Sequence, residues 1–243
     1  MPMKVYAITD IGRMRPINED SYYLPQPEER FCAVADGMGG HNAGEVASAL
    51  AVKAFSERMR QAGGMSAHAL REAVEIANDA VYEAALENAG MNGMGTTFSA
   101  LAIQGGQAYL AHVGDSRVYL IRGGVIMQVT TDHTLVEEMV QKGMLSPREA
   151  RVHPRRNIIT RALGTEPWVE VDAFQLATRP GDVFFLCNDG MTNYVEERDI
   201  LNETLSGAPW QEKLERLVRM ALENGGSDNI TGLFAVVEEA SDR

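Results

Sequence analysis

Apolar residues recur at helical spacing in two stretches near the start of the chain. Over residues 43–61 they follow one another at intervals of four or five, and a second run over 67–88 does the same behind Ser66. Such spacing places the apolar side chains on one face of a helix, and a serine before the run is a typical N-cap. Because only the Gly-rich break at 62–64 separates the runs, the sequence predicts two helices joined as an antiparallel hairpin.

The pattern of the following residues is typical of β-strands. Short β-branched and aromatic runs alternate with glycine-rich turns, which predicts strands connected by hairpins. The predicted strands are 96–103, 107–113, 117–122 and 125–130, and later 170–176, 182–187 and 230–237. A helical region over 198–223, broken near Pro209, precedes the last strand. Since the strands meander without a βαβ repeat, we expect an α+β fold with largely antiparallel strands.

A polar excursion lies between the meander and the later strands. Residues 132–161 carry many charges and few large apolar side chains, with short helical patterns at 135–142 and 147–151. The chain has no internal repeat, no low-complexity tract and no dividing linker. We therefore expect a single domain over residues 1–243, with residues 132–161 as a mobile excursion from its core.

The composition is acidic and excludes some partners. The chain has 22 basic and 34 acidic side chains, a formal net charge of −12 and a sequence pI near 4.9. A field of this sign repels phosphate, so we expect neither nucleic acid nor an anionic membrane as partner. Cys32 and Cys187 lie in apolar runs without a zinc or redox spacing, and no apolar run is long enough to span a membrane. We expect a reduced, cytoplasmic protein.

Several aspartates stand where predicted strands begin or end, often beside glycine. They are Asp20, Asp36, Asp115, Asp189 and Asp228. An aspartate at a strand end is held by the sheet while its side chain reaches the rim, so several can converge on one cavity. Carboxylate oxygens are the ligands that Mg²⁺ and Mn²⁺ prefer. An alternative remains open at this point, because Asp-Gly pairs are also common turn signals.

Short motifs in a fixed order give the chain a resemblance to a known family. They are Arg15-Pro16-Ile17-Asn18-Glu19-Asp20, Val34-Ala35-Asp36-Gly37-Met38-Gly39-Gly40-His41, Met94-Gly95-Thr96-Thr97, His112-Val113-Gly114-Asp115-Ser116-Arg117, Asp132-His133-Thr134, Cys187-Asn188-Asp189-Gly190 and Ser227-Asp228-Asn229. The chain resembles the metal-dependent serine/threonine protein phosphatases of type 2C, in their short bacterial branch. The resemblance implies a four-layer α/β/β/α sandwich with two central antiparallel sheets, and makes residues 132–161 a flap over the site.

The resemblance also implies a centre for Mn²⁺ or Mg²⁺, with two ions and a possible weaker third. Asp36 would bridge the two ions, and the carbonyl of Gly37 would complete the first. Asp189 and Asp228 would hold the second ion. Asp115, together with Asp189, would bind the third.

Catalytic roles follow from the same resemblance. Arg15 resembles the phosphate-binding arginine of the family, and Asp20 resembles the acid that hydrogen-bonds a metal-bound water. Many family members carry histidine where this chain has Met38, and methionine cannot donate a proton to the leaving group. His41 and His153 therefore stay open as proton donors, beside water.

The implied activity is hydrolysis of phosphoserine and phosphothreonine by a water that two metal ions activate. Phosphoproteins and a bacterial serine/threonine kinase, whose action the enzyme reverses, are the implied partners, and we expect a monomer. Two other functions stay open: a reader that binds phosphate without cleaving it, and a two-metal phosphodiesterase or nuclease. The complete set of motif aspartates argues against the reader, and the net charge of −12 argues against the nuclease.

Overall fold

Two antiparallel sheets form the centre of the computed structural model, which describes residues 2–39 and 43–239. Strands are numbered along the chain. Sheet I has the order β1 (Met3–Asp10), β11 (Ile230–Val237), β10 (Val183–Cys187), β7 (Arg117–Arg122), β8 (Val125–Gln128). Sheet II has the order β2 (Asp20–Tyr23), β3 (Phe31–Met38), β5 (Phe98–Gln104), β6 (Gln107–Val113), β9 (Asp172–Ala177), and the short β4 (Gly95–Thr96) pairs with β3.

Helices cover the outer face of each sheet. The helices are α1 (Gly44–Arg60), α2 (Ala67–Glu87), α3 (Leu135–Gln141), α4 (Pro147–Arg151), α5 (Asp189–Thr192), α6 (Glu197–Leu205) and α7 (Trp210–Glu223), with a 3₁₀ turn at Ala89–Met91. The α1–α2 hairpin packs on sheet II, and α7 packs on β1 and β11 of sheet I. As predicted, Ser66 caps α2 by accepting a hydrogen bond from the amide of Ala69. None of the helices within the described ranges combines the length and the apolar character needed to cross a membrane.

Alternate residues of the central strands enter two different apolar layers. In β3, Phe31 and Ala33 face the α1–α2 side, whereas Cys32 and Val34 pack in the layer between the sheets. β10 does the same, with Phe184 in the layer between the sheets. Because these strands are buried on both faces, their sequences are unbroken apolar runs. The predicted four-layer α/β/β/α sandwich is confirmed. Cys32 packs in the layer between the sheets, and burial raises the pKa of its thiol.

The predicted meander is divided between the two sheets. β6 pairs with β5 and β9 in sheet II, whereas β7 pairs with β8 and β10 in sheet I. The chain crosses from one sheet to the other at Gly114, whose φ of 106° favours glycine. A Cβ at Gly114 would lie 2.6 Å from the Cβ of Thr97. This close crossing places Asp115 at the rim where the two sheets meet.

Residues 132–161, which we call the flap segment, contain α3 and α4 where the pattern predicts them. The two ends of the segment are joined by a β-bridge between Thr134 and Ile159. Its base is tied to the crossing, because the amide of His133 donates to the carbonyl of Gly114 over 2.8 Å. The flap segment therefore leaves the core beside Asp115.

Candidate metal centre

The two sheets bring the predicted aspartates to the same end of the sandwich. Asp20 on β2 and Asp36 on β3 are directly opposed partners in the antiparallel ladder. Asp189 begins α5 directly after β10, and Asp228 lies just before β11, the neighbour of β10. With Asp115 at the crossing, these residues form what we call the acid cluster.

The pKa of Asp36 reflects the proximity of the other acid-cluster residues. Its pKa is raised well above its ordinary value, first by burial and then by the charges of the other acid-cluster residues, which are Asp20, Asp189, Asp115 and Asp228. Each of them is close enough to disfavour a negative charge on Asp36. The structure therefore brings together the whole set of aspartates that the sequence singles out.

Three further carboxyls of the acid cluster are also shifted. Burial, followed by the charge of Asp189, raises the pKa of Asp20 and of Asp115 to about 7 (Thr231 lowers it at Asp20). Burial and Asp228 raise the pKa of Asp189 to about 6. Holding all of these groups ionised in one place is unfavourable unless a cation compensates them.

Asp20 offers a direct test of whether a cation fits. Its Oδ2 accepts hydrogen bonds from the Thr231 hydroxyl and, over 2.9 Å, from Nδ2 of Asn188. Its Oδ1 is buried and has no hydrogen-bond partner among the described residues. An orphaned carboxylate oxygen in a group of mutually repelling acids is what a hydrated divalent ion would satisfy.

The kind and number of the ligands fit Mg²⁺ or Mn²⁺. All donors are hard oxygen atoms, although within residues 2–39 and 43–239 no three Asp, Glu, His or Cys side chains already lie close enough together to hold a metal ion. These ions keep several waters and take few protein ligands, so an open arrangement suits them. The residues present therefore fit the predicted group.

Two glycines allow the backbone to close around the acid cluster. A Cβ on Gly37 would lie 2.1 Å from the carbonyl oxygen of Gly44, at the start of α1. A Cβ on Gly190 would lie 1.9 Å from the carbonyl oxygen of Asn229. Any side chain at these positions would push apart the elements that hold Asp36 and Asp189. The use of the Gly37 carbonyl as a ligand stays a prediction.

Arg15 lies directly against the acid cluster. Its Nε is 2.8 Å from Oδ1 of Asp228, and its NH2 donates to Oδ2 over 2.9 Å. Its NH1 is 3.4 Å from Oε2 of Glu19, and 44% of the Arg15 side chain is exposed. The hydrogen bond to Asp228 is the main reason that the pKa of Arg15 is raised. A half-exposed guanidinium at this position can also reach a phosphate at the rim.

The structure adds residues to which the sequence assigned no role. Asn229 holds the loop that carries Arg15, because its Nδ2 donates to the carbonyls of Ile11 and Ile17, over 2.9 and 3.0 Å. Its Oδ1 accepts from the amide of Glu19 over 2.8 Å. Asn188 caps α5 through the amide of Met191 and also holds Asp20. Both asparagines are next to motif aspartates in the sequence, and this position was the only indication that they belong to the site.

The two predicted proton donors are not brought to the acid cluster by described contacts. His41 lies outside the described residues. Nδ1 of His153 accepts from the amide of Arg155 over 3.1 Å, within the flap segment. The roles of both histidines stay predictions.

A cleft of about 900 Å³ leads from the acid cluster to the flap segment. Asp115 and Asp189 line one end of it. Arg151 and Arg156 of the flap segment line another wall, and the start of α6 with Glu197 lines a third. The cleft is thus continuous with the acid cluster and large enough for part of a peptide.

Comparison with known proteins identifies the family. Residues 16–235 match the family described as Protein phosphatase 2C. The protein phosphatase PhpP of Streptococcus pneumoniae is 37% identical over 243 residues, covering 98% of each chain. The serine/threonine phosphatase PstP/Ppp of Mycobacterium tuberculosis superposes with a TM-score of 0.91 at 39% identity, covering 98% of this chain and 99% of that chain.

A further solved structure contains metal. The catalytic domain of the serine/threonine protein phosphatase PstP in complex with two manganese ions superposes with a TM-score of 0.88 at 37% identity, covering 98% of this chain and 99% of that chain. The family match, the end-to-end similarity and the acid cluster agree with the motifs. The chain belongs to the protein phosphatase 2C family of metal-dependent serine/threonine protein phosphatases.

Proposed function

We propose that this protein removes phosphate from phosphoserine and phosphothreonine side chains of phosphoproteins, using a water activated by two Mn²⁺ or Mg²⁺ ions. The observation that supports this proposal most directly is the acid cluster, in which the negative charge of the half-buried Asp36 is disfavoured by its acidic neighbours. The two manganese ions bound by PstP support the number of ions.

Asp36, the Gly37 carbonyl, Asp189 and Asp228 would hold the two ions, and Asp115 with Asp189 a weaker third. When bound, the ions supply positive charge that lowers the pKa of a water molecule and offsets the charge of the phosphoryl oxygens. This local charge makes the site attractive to phosphate although the chain as a whole carries −12.

Arg15 would bind and orient the phosphate. A guanidinium presents parallel N–H donors that match two phosphate oxygens. Its contact with Asp228 fixes the fork at the edge of the acid cluster, and its exposed fraction leaves N–H groups that a substrate can reach. Orientation of the phosphoryl group for in-line attack is the expected contribution.

Asp20 would orient the attacking water. Thr231 and Asn188 both hold its Oδ2, so the free Oδ1 has a fixed direction. That atom can accept a hydrogen bond from the attacking water, because it is buried and has no hydrogen-bond partner among the described residues. Protonation of the leaving oxygen stays assigned to His41, His153 or water.

We also propose the setting in which the enzyme acts. Its substrates would include a serine/threonine kinase of the same cell and the proteins that this kinase phosphorylates. The protein would work in the cytoplasm as a monomer with a single catalytic domain. The free, buried thiols of Cys32 and Cys187 support a reducing compartment, and the shared apolar layer between the sheets supports one domain.

Metal-dependent turnover of a phosphothreonine peptide tests this proposal. We expect Mn²⁺ to support hydrolysis, a chelator to abolish it, and Asp189→Asn to lower kcat/KM by about 1000-fold, because the substitution removes a charged ligand. Asp79→Asn is the matched control, since Asp79 is an exposed acid on α2 and should keep full activity.

Three outcomes would contradict the proposal. Activity that resists the chelator would exclude a metal-dependent reaction. Tight binding of the phosphopeptide without turnover would indicate a phosphate reader. Faster hydrolysis of bis-p-nitrophenyl phosphate than of the phosphopeptide would indicate a phosphodiesterase.

A further inference from the structure

The flap segment carries a local charge opposite to that of the chain. Residues 147–156 contain four arginines and one glutamate, so their formal charge is 4 − 1 = +3, in a chain of −12. The arginines, which we call the flap arginines, are Arg148, Arg151, Arg155 and Arg156. All four are exposed. A basic patch on an acidic protein indicates an anionic ligand.

The one acid of this stretch does not neutralise the patch. Oε2 of Glu149 accepts from the amide and the hydroxyl of Ser146, over 2.8 and 2.7 Å, which closes a capping box on α4. Glu149 therefore faces the start of the helix. Among the described residues, none of the flap arginines forms an ion pair, whereas Arg117, near the base of the same segment, holds Asp132 with a 2.7 Å contact.

The cleft divides the flap arginines into two pairs. Arg151 and Arg156 line it, whereas Arg148 and Arg155 do not. The same cleft reaches Asp115 and Asp189 of the acid cluster. A peptide whose phosphorylated residue is at the acid cluster can therefore extend its flanking residues past Arg151 and Arg156.

We propose that Arg151 and Arg156 form a subsite for a second anionic side chain of the substrate, near the phosphorylated residue that is cleaved. The shared chemistry is an oxyanion, either a carboxylate or a second phosphate, which a guanidinium binds through charge-assisted hydrogen bonds. This inference rests on the proposed function and specifies the class of substrate that the site prefers.

Kinetics with matched phosphothreonine peptides test the subsite. The first peptide has only neutral residues around the phosphothreonine. In a second series one flanking position at a time carries aspartate. In a third series phosphoserine replaces that aspartate. We expect the anionic peptides to show a higher kcat/KM than the neutral one, through a lower KM. Arg151→Gln with Arg156→Gln should remove this preference, with a loss of about 10-fold for the anionic peptides.

Two controls separate the subsite from general effects. The variant Arg148→Gln with Arg155→Gln removes the same charge from the same segment but outside the cleft, and should keep most of the preference. Hydrolysis of p-nitrophenyl phosphate, which has no flanking residues, should be unchanged in both variants. If wild-type protein fails to hydrolyse p-nitrophenyl phosphate in Mn²⁺, the proposed function fails, and not the subsite alone.

The results distinguish a carboxylate from a phosphate as the preferred anion, and two of them would contradict the proposed subsite. A preference for aspartate peptides assigns the subsite to carboxylates, and a preference for doubly phosphorylated peptides alone assigns it to phosphate. Equal kcat/KM for neutral and anionic peptides overturns the proposal. An equal loss in both double variants also overturns it, because the effect would then come from net charge.

Discussion

The acid cluster and the flap arginines carry opposite charges and differ in their exposure to solvent. The acid cluster is built from strand ends of both sheets, and burial makes its charges unfavourable. The flap arginines lie on the short helix α4 and the turn after it, in contact with solvent. Charge in the acid cluster therefore depends on a bound cation, whereas charge on the flap segment is present without one.

The two regions can therefore serve different purposes, the acid cluster for chemistry and the flap arginines for selectivity. Side chains fixed by two sheets cannot move apart to relieve their repulsion, so they can hold reacting groups in one geometry. Side chains on an exposed segment can be substituted with little loss of stability, and their substitution changes substrate binding more than the rate of the chemical step. We expect substitutions in the acid cluster to affect every substrate, and substitutions of the flap arginines to affect only peptides.

Among substitutions that distinguish the two regions, we expect Arg15 to give the greatest loss of activity. This arginine belongs to the acid cluster by contact, through Asp228, but it is half exposed like the flap arginines. Arg15→Ala should lower kcat/KM about 100-fold for p-nitrophenyl phosphate and for peptides alike, because it would remove the phosphate contact that we propose for Arg15. Arg15→Lys should recover only part of the activity. A loss restricted to peptides would place Arg15 with the flap arginines.

A matched pair of helix caps compares the stability of the two regions. Asn188 caps α5 and also holds Asp20, Thr231 and the carbonyl of Asn229, whereas Ser146 caps α4 in the flap segment. Asn188→Ala should reduce the free energy of unfolding by about 3 kcal/mol, since it leaves buried groups unpaired.

Ser146→Ala should cost about 1 kcal/mol, the usual value for a lost cap. Urea denaturation measures both variants, and activity on p-nitrophenyl phosphate should survive only the second substitution. Equal losses of stability would show that the flap segment is as integral to the fold as the acid cluster.

A similarly small effect on stability is expected from pH and metal removal. The pKa of Asp20 and of Asp115 is raised to about 7 in the folded protein, above the unfolded value, so folding takes up protons. Their contribution to stability is present at low pH and is lost as pH rises through about 7. Chelator-treated protein should therefore lose about 1–2 kcal/mol of stability from these groups between pH 6.5 and pH 8.

Thermal unfolding with and without Mn²⁺ checks this expectation. Bound Mn²⁺ keeps the carboxylates ionised, so the gap in Tm between the two forms should widen from pH 6.5 to pH 8. The buried His112, whose pKa is lowered to about 4, contributes to both forms and cancels. A gap that narrows with rising pH would contradict the charge state assigned to the acid cluster.

Local patterns were enough to predict most secondary structure. α4 (Pro147–Arg151), β6 (Gln107–Val113) and β11 (Ile230–Val237) begin and end where the sequence predicts them. Their periodicity, turns and caps are properties of neighbouring residues, which a sequence displays directly. The division of the meander between two sheets was not predicted, because it depends on which distant strands compete to pair with β6 and β7.

The sequence predicted which aspartates form the acid cluster and that they converge, but not the hydrogen bonds and ion pairs that hold them. The motifs and the resemblance named the aspartates, and the structure brings them together. The pairing of Arg15 with Asp228 spans 213 residues, and no local pattern carries it. The roles of Asn188 and Asn229 are also long-range, since each joins backbone or side chains from both ends of the chain.

The strand order has a consequence for protein synthesis. β11 is the last strand along the chain, yet it lies inside sheet I between β1 and β10, and Asp228 directly precedes it. While the ribosome is still translating, β1 has no partner in this sheet and the acid cluster lacks one of its members. With Asp228 as a proposed metal ligand, we expect a nascent chain to become active only after Ile230–Val237 has emerged and paired with β1 and β10.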